Sequence, residues 1–389
     1  MSAAGEMPAV WHDDRMATEI LLGIGVAAML PCDAALPLRE HHPVTHPGFQ
    51  LNVVVDDDIV TNADPRVGLM HRSAEKLFEA RDYRQAMLLA NRHDWLSAFS
   101  SEVGVAIALE SALGITPPEC ATWTRTLLAE ANRVSATLAF LAPVGGDSRE
   151  ILEAMRERLA AIQELSTGGR VHPGYARIGG VAMPLSDEAI DAYAALIADL
   201  RSALPQITDA ISVYAEPFAG IAVLSRDDAI SFGASGIVAR ASGFDIDLRR
   251  DDPYLSYAAL AELLRVPVRT EGDVPARYGV LVDQLPVSAD LIDACIGELR
   301  RLGDGPVDVP LPKVVRLPEG TTYAWIEGPL GISGCLVVST GDKSPHRMKI
   351  RSASFATMQV MGHALAGTPY DALADAVMSF PMVIGDVDR

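Results

Sequence analysis

The chain has 389 residues and 41.5 kDa, with 49% apolar and 21% charged residues. That is enough for a large core, in one big domain or two to three smaller ones, with the composition of a soluble globular protein. The net charge of -19 and the pI of about 4.8 argue against nucleic acid, whose phosphates need clustered Lys and Arg, and against adsorption to anionic lipid. They leave docking on another protein at a membrane open. Cys32, Cys120, Cys295 and Cys335 stand far apart with no C-x-x-C spacing, so they read as core thiols in a reducing compartment.

Residues 1–40 are Ala/Pro-rich and expected to be an irregular N-terminal extension. Their apolar run, residues 20–30, is shorter than the ~18 residues of a spanning helix. Glu6, Asp13 and Asp14 precede it where a signal peptide carries basic residues. Met16 is an alternative start that removes this acidic leader. Residues 41–66 are expected as an N-terminal β region, with strands at 49–55 and 59–60 around Asp56-Asp57-Asp58. Residues 67–212 read as a helical bundle. One helix opens at Ser100-Ser101-Glu102 and ends at Gly114. The next starts at Pro117-Pro118 and stops at Gly145-Gly146. A third spans 149–165, before Gly168-Gly169. A fourth begins at Ser186-Asp187 and stops at Leu204-Pro205. Residues 213–389 read as a mixed α/β region completing the same large domain. It holds a helix over 277–302, strands at 321–326, 334–339 and 348–351, and closing helices at 355–365 and 373–377. The predicted class is α+β: a helical bundle core with small antiparallel sheets.

Several segments carry chemistry. In His42-Pro43-Val44-Thr45-His46 the proline makes a turn, not one helix face. Turn imidazoles are either exposed loop residues or ligand-facing groups; a metal site needs further ligands, and no convincing set lies nearby. His71-Arg72 enters a helix within Asp64-Pro65-Arg66-Val67-Gly68-Leu69-Met70-His71-Arg72-Ser73-Ala74-Glu75-Lys76. Asp147 sits on the break after Gly145-Gly146, where an Asp is ordinarily a helix cap. Trp95, in Asn91-Arg92-His93-Asp94-Trp95-Leu96-Ser97, is either a core indole or a hydrogen-bond donor to a ligand. Taken alone, Arg170-Val171-His172-Pro173-Gly174-Tyr175-Ala176-Arg177-Ile178-Gly179-Gly180-Val181 supplies a surface His. Further along stand Asp247-Leu248-Arg249-Arg250, Thr270-Glu271-Gly272-Asp273 with Arg277-Tyr278, Tyr323 to Gly334, and the ending Gly385-Asp386-Val387-Asp388-Arg389.

In this order, over about residues 42–389, these segments resemble the D-type subunit of NADH:quinone oxidoreductase (respiratory complex I), a relative of the nickel-iron hydrogenase large subunit. The resemblance implies that fold. It places His46 at the head of a quinone cavity, bonded to a quinone carbonyl, with Asp147 as its carboxylate partner. Trp95 falls where the family has the Tyr on the other side of the headgroup. Arg72 and His172 are implied beside a [4Fe-4S] cluster held by a B-type partner subunit, with His172 coupling proton uptake to cluster reduction. No cofactor is implied on this chain itself. A C-type subunit and a membrane-arm subunit are the further partners, and the location is the cytoplasmic face of the membrane, peripheral. The family's hydrogenase relatives hold nickel with two cysteine pairs. The corresponding stretches, residues 96–100 and 380–384, have no Cys, so no nickel is expected.

The chain also departs from the pattern. Pro47 and Ser73 replace glycines, Trp95 replaces Tyr, and a segment is missing near residues 307–317. Two functions are therefore carried forward. One is a quinone-site subunit passing electrons to quinone with coupled proton translocation. The other is a degenerate structural or assembly paralogue without quinone reduction.

Overall fold

The computed structural model describes residues 17–25 and 30–389; Met16 and the acidic leader lie outside the described residues. The first unit is a sheet of β1 (Thr18–Ile24), β2 (Ala34–Leu36), β3 (Gln50–Asp56) and β4 (Ile59–Arg66), in the order β2-β1-β3-β4. β1 and β2 run parallel; the other pairs are antiparallel. The expectation of an irregular stretch over residues 1–40 is therefore corrected for Thr18–Ile24 and Ala34–Leu36. Ile20, Leu22 and Ile24 put one face of β1 into the core, and Leu22 stands opposite Leu51. The partner strand is distant in sequence, so the apolar run alone did not reveal the pairing. Asp57 and Asp58 both have positive φ, 44° and 61°, making a two-residue hairpin turn. β4 runs on past Val60 through Pro65, which an edge strand tolerates because proline, lacking an N–H, leaves only the open side of the ladder without a donor.

The bundle follows: α1 (Ala74–Glu79), α2 (Tyr83–Ala90), α3 (Ala98–Leu113), α4 (Glu119–Leu141) and α5 (Arg149–Thr167). The small hairpin β5 (Ala176–Arg177) and β6 (Gly180–Val181) leads to α6 (Asp187–Ala215). Gly114 and Gly168 stop their helices with φ of 64° and 81°, and Ser186 caps α6 by accepting the Ala189 N–H. α6 does not stop at Pro205. Ile207, Ile211 and Ala215 continue its buried face. Two buried isoleucines, at roughly 1.5–3 kcal/mol each, offset the ~3 kcal/mol that an interior proline costs.

Then come α7 (Arg226–Ser231), α8 (Gly236–Ala241), α9 (Leu248–Asp251) and the long α10 (Val274–Leu302). A three-stranded antiparallel sheet of β7 (Gly320–Gly328), β8 (Gly331–Ser339) and β9 (Arg347–Arg351) is followed by α11 (Ala353–Ala364), α12 (Leu373–Met378) and α13 (Ile384–Val387). α4 is the axis, packed by α3, α5 and α10, while α10 also packs on α6 and α3 lies on β7 and β8. The connection before β7 hydrogen-bonds onto the β5–β6 turn, through Val181 N–H to Val307 O at 2.9 Å and Val309 N–H to Gly179 O at 3.0 Å. A side chain at Gly180 would put its Cβ 2.0 Å from Val307 O, so this approach requires glycine.

Because α4 is buried almost all round, its charged residues need internal partners. Glu130 accepts from Arg249 at 3.1 and 3.2 Å, Tyr257 at 2.6 Å and Ser288 at 2.7 Å. Asp247 pairs with Arg249 and Arg240; Glu327 pairs with Arg240. Arg133 reaches Glu130 at 3.4 Å and donates to the Glu327 and Gly328 carbonyls. Three carboxylates and three guanidiniums are thus buried together. Among the described residues, no helix is long and apolar enough to cross a membrane.

Candidate functional site

The segment 42–48 is a turn, as its proline dictates, but its two histidines part company. His42 is buried edge-on against Phe140, with ring centroids 5.8 Å apart. Burial, helped by the Arg39 charge, pushes its pKa down to about 3, so it is a neutral core residue. His46 stays half-buried at the surface of the turn. Its Nδ1 accepts the Gly48 N–H at 3.0 Å. That bond fixes the neutral tautomer, with the proton on Nε2. Burial lowers its pKa and the Asp388 carboxylate opposes the shift.

Trp95 lies on the turn between α2 and α3 and is 37% exposed, so it is not a core indole. The Arg156 guanidinium sits over its ring, 5.7 Å from the centroid. The two border a cavity of ≈ 310 Å³ whose lining includes Asn132, Ser135, Glu157 and Val171. The residues just before Trp95 turn inward. His93 donates Nδ1–H to Asp386 at 2.9 Å, and Ser352 Oγ–H donates to the same carboxylate. Asp94 accepts the N–H groups of Leu96 and Ser97, shaping the entry to α3. Burial and then repulsion from Asp386 push its pKa up to about 7.

His172 is half-buried on the loop after α5. Its Nδ1 has no hydrogen-bond partner, and burial followed by the nearby Arg92 guanidinium lowers its pKa. One side chain fastens this loop. Buried Glu102 on α3 accepts the N–H groups of Gly174, Tyr175 and Ala176 at 2.7, 3.0 and 3.2 Å, and also the Asn91 amide. Glu102 therefore locks the His172 loop to the turn that carries Arg92 and Trp95. A parallel lock holds the β5–β6 hairpin, where Glu110 takes Arg125 in two bonds and the Gly179 N–H in a third.

Arg72 is exposed before α1, and its guanidinium makes no hydrogen bond or ion pair among the described residues. Ser73 behind it has a φ of 57°, a left-handed conformation in which glycine is free of strain. Asp147 is exposed on a 3-10 turn and neither caps α5 nor pairs with any group among the described residues. The expected His46–Asp147 pair is not formed in this structure. None of the hydrogen bonds or ion pairs of His46 reaches Trp95 or His172 either.

The last turn of the chain organises these segments, a role its sequence does not display. Asp386 holds His93. Asp388 accepts the N–H groups of Gly68 and Met70 at 2.6 and 2.8 Å. Arg389 donates to the Ile350 carbonyl at 2.7 Å and faces Glu75. Asp386, Asp388 and Arg389 are visible in the sequence as a closing motif, but nothing there says what they face. The same holds for Arg92 and Glu102.

A family profile described as "Respiratory-chain NADH dehydrogenase, 49 Kd subunit" matches residues 150–316 and 311–389. One of the D-type subunits of NADH-quinone oxidoreductase from Streptomyces griseus is 45% identical over 96% of this chain and 96% of its own length. A D-type subunit from Streptomyces coelicolor is 44% identical, over 96% of this chain and 99% of its own. The D-type subunit from Geobacillus thermodenitrificans is 33% identical, over 91% and 98%. These relatives are named as subunits of an oxidoreductase complex, not as hydrogenases. The chain therefore belongs to the family of the 49 kDa subunit of respiratory-chain NADH dehydrogenase, the D-type subunit of NADH-quinone oxidoreductase.

Proposed function

We propose that this chain forms the head of a quinone site in an NADH:quinone oxidoreductase, next to a [4Fe-4S] cluster held by a B-type partner subunit. In this reading electrons pass from that cluster to quinone, coupled to proton translocation, with a C-type and a membrane-arm subunit completing the assembly at the cytoplasmic face of the membrane. The observation that carries it is the half-buried His46 imidazole. With Nδ1 held by the Gly48 N–H, the proton of the neutral ring is on Nε2, the form that donates to a carbonyl oxygen. Reducing a quinone takes two electrons and two protons, and a fixed donor at a carbonyl oxygen stabilises the charge that develops there. Trp95 stands at the second side of the headgroup and donates a hydrogen bond through its indole N–H, with no proton to release at useful pH. Arg72 and His172 face the partner's cluster.

His46→Ala in the assembled complex is expected to lower quinone reduction roughly tenfold or more, with cluster reduction by NADH intact. Unchanged quinone turnover in that variant removes His46 from the site. The second reading, a structural or assembly paralogue, is favoured by Trp95, which gives no proton, and by the unpaired Asp147. A correctly assembled wild-type complex that reduces its clusters and not quinone would establish it.

A further inference from the structure

The carboxylate expected beside His46 is exposed and makes no pair among the described residues, while a buried one, after the end of α13, holds the turn that packs against the His46 turn. Asp388 grips the turn 68–70 by two backbone amides, at 2.6 Å from Gly68 and 2.8 Å from Met70. Met70, so held, wedges its side chain against the His46–Gly48 turn. A Cβ on Gly48 would lie 2.9 Å from Met70 Cγ and 3.4 Å from His46 Nδ1. Clamp, wedge and imidazole form one chain of contacts.

We propose that Asp388, not Asp147, is the positioning residue of His46, acting through Met70 and the Gly48 turn. The proposal rests on the quinone-site reading above. A buried carboxylate with two amide donors is stiff, so the wedge it holds fixes the turn whose Gly48 N–H orients the ring. Its charge opposes the lowering of the His46 pKa by burial. Among the described residues it is the charged group that acts on His46. His71 and Arg72 follow the clamped turn and are exposed, and Arg389 is turned to the Ile350 carbonyl and Glu75.

The test uses the assembled complex, with NADH-driven cluster reduction as the check on assembly. His46→Ala first defines the limb of the quinone-reduction pH profile that depends on His46. Asp388→Asn is expected to move that limb to lower pH, because losing the negative charge lowers the proton affinity of the imidazole; Asp147→Asn is expected to leave the limb in place. A limb unmoved in Asp388→Asn, one moved by Asp147→Asn instead, or no limb that depends on His46 overturns the proposal. Met70→Ala covers the case in which Asp388→Asn does not assemble. It keeps the clamp and removes the wedge, and is expected to cut quinone turnover several-fold with cluster reduction intact; wild-type turnover there overturns the proposal. If His46→Ala itself leaves quinone turnover unchanged, the quinone-site reading fails and not merely this extension of it.

Discussion

Two regions of this molecule take charged groups out of water, and they do so in opposite ways. Around α4, Glu130, Asp247 and Glu327 each face a guanidinium, and Tyr257 and Ser288 complete the shell of Glu130. Around the candidate site, Asp94 sits near neutrality, the His172 Nδ1 has no partner, and Arg72 is free among the described residues. In the first arrangement the guanidiniums hold Glu130 and Asp247 ionised, while burial and the Asp247 charge raise the pKa of Glu327. The second leaves groups that change state when a neighbour's charge changes. Chemistry that moves protons needs the second kind, and a rigid scaffold of the first kind keeps it in register.

The largest expected effect comes from breaking the first region. Glu130→Ala leaves buried Arg133 with no carboxylate partner among the described residues and Arg249 with Asp247 alone, and is expected to cost roughly 3–5 kcal/mol in denaturant unfolding. His46→Ala, at the half-buried turn, is expected to cost about 1 kcal/mol or less. Equal losses would erase the contrast. The same network sets an acid limit. Burial alone would raise the Glu130 pKa, but Arg249 and Arg133, with bonds from Tyr257 and Ser288, hold it at about 2. A depressed carboxylate pKa contributes stability that is fully present above the unfolded value of 4.5 and lost as pH falls through about 2. Acid unfolding of Glu130→Ala should lack that component.

A smaller effect tests the coupling at His172. If the partner's cluster lies beside His172 as proposed, its reduction adds negative charge, which should raise an imidazole pKa that burial and Arg92 now hold down. His172→Met is expected to flatten the pH dependence of that cluster's midpoint potential while the complex still assembles. A redox titration with the wild-type slope counts against a coupling role.

The smallest expected change sharpens the site. Trp95→Tyr restores a phenol that can give and regain a proton, and is expected to raise turnover modestly or broaden the quinones accepted. It also exchanges the Arg156–indole contact for a weaker one with the phenol, a loss of less than the roughly 0.5–1 kcal/mol of an exposed cation–ring pair. A wild-type complex already reducing quinone at ordinary rates, with no gain in the variant, would show that water or His46 supplies the proton.

Much of the fold was legible because it is local. Gly114, Gly168 and Ser186 marked helix ends that the backbone obeys. The strands over 320–351 followed from alternation around Gly328-Pro329-Leu330-Gly331. β1 was illegible, since its partner β3 lies beyond an intervening loop. The helix past Pro205 was misjudged because the proline is a local cost and the buried face a tertiary gain. Of the two turn histidines, no local pattern tells that His42 meets Phe140 and His46 does not.

What the sequence alone determined is what chain-local chemistry can encode: caps, turns, strand alternation, the absence of nickel-site cysteines, and an order of motifs sufficient to point to the family. What only the tertiary structure decided is which charges meet. It turned Asp247, Arg249 and Glu327 into a buried network, set Glu102 beneath the His172 loop, and brought Asp388 to the turn of Gly68 and Met70 while leaving Asp147 in solvent. The physical reason is that desolvation and ion pairing depend on packing between distant segments, and spacing along the chain carries no record of that packing.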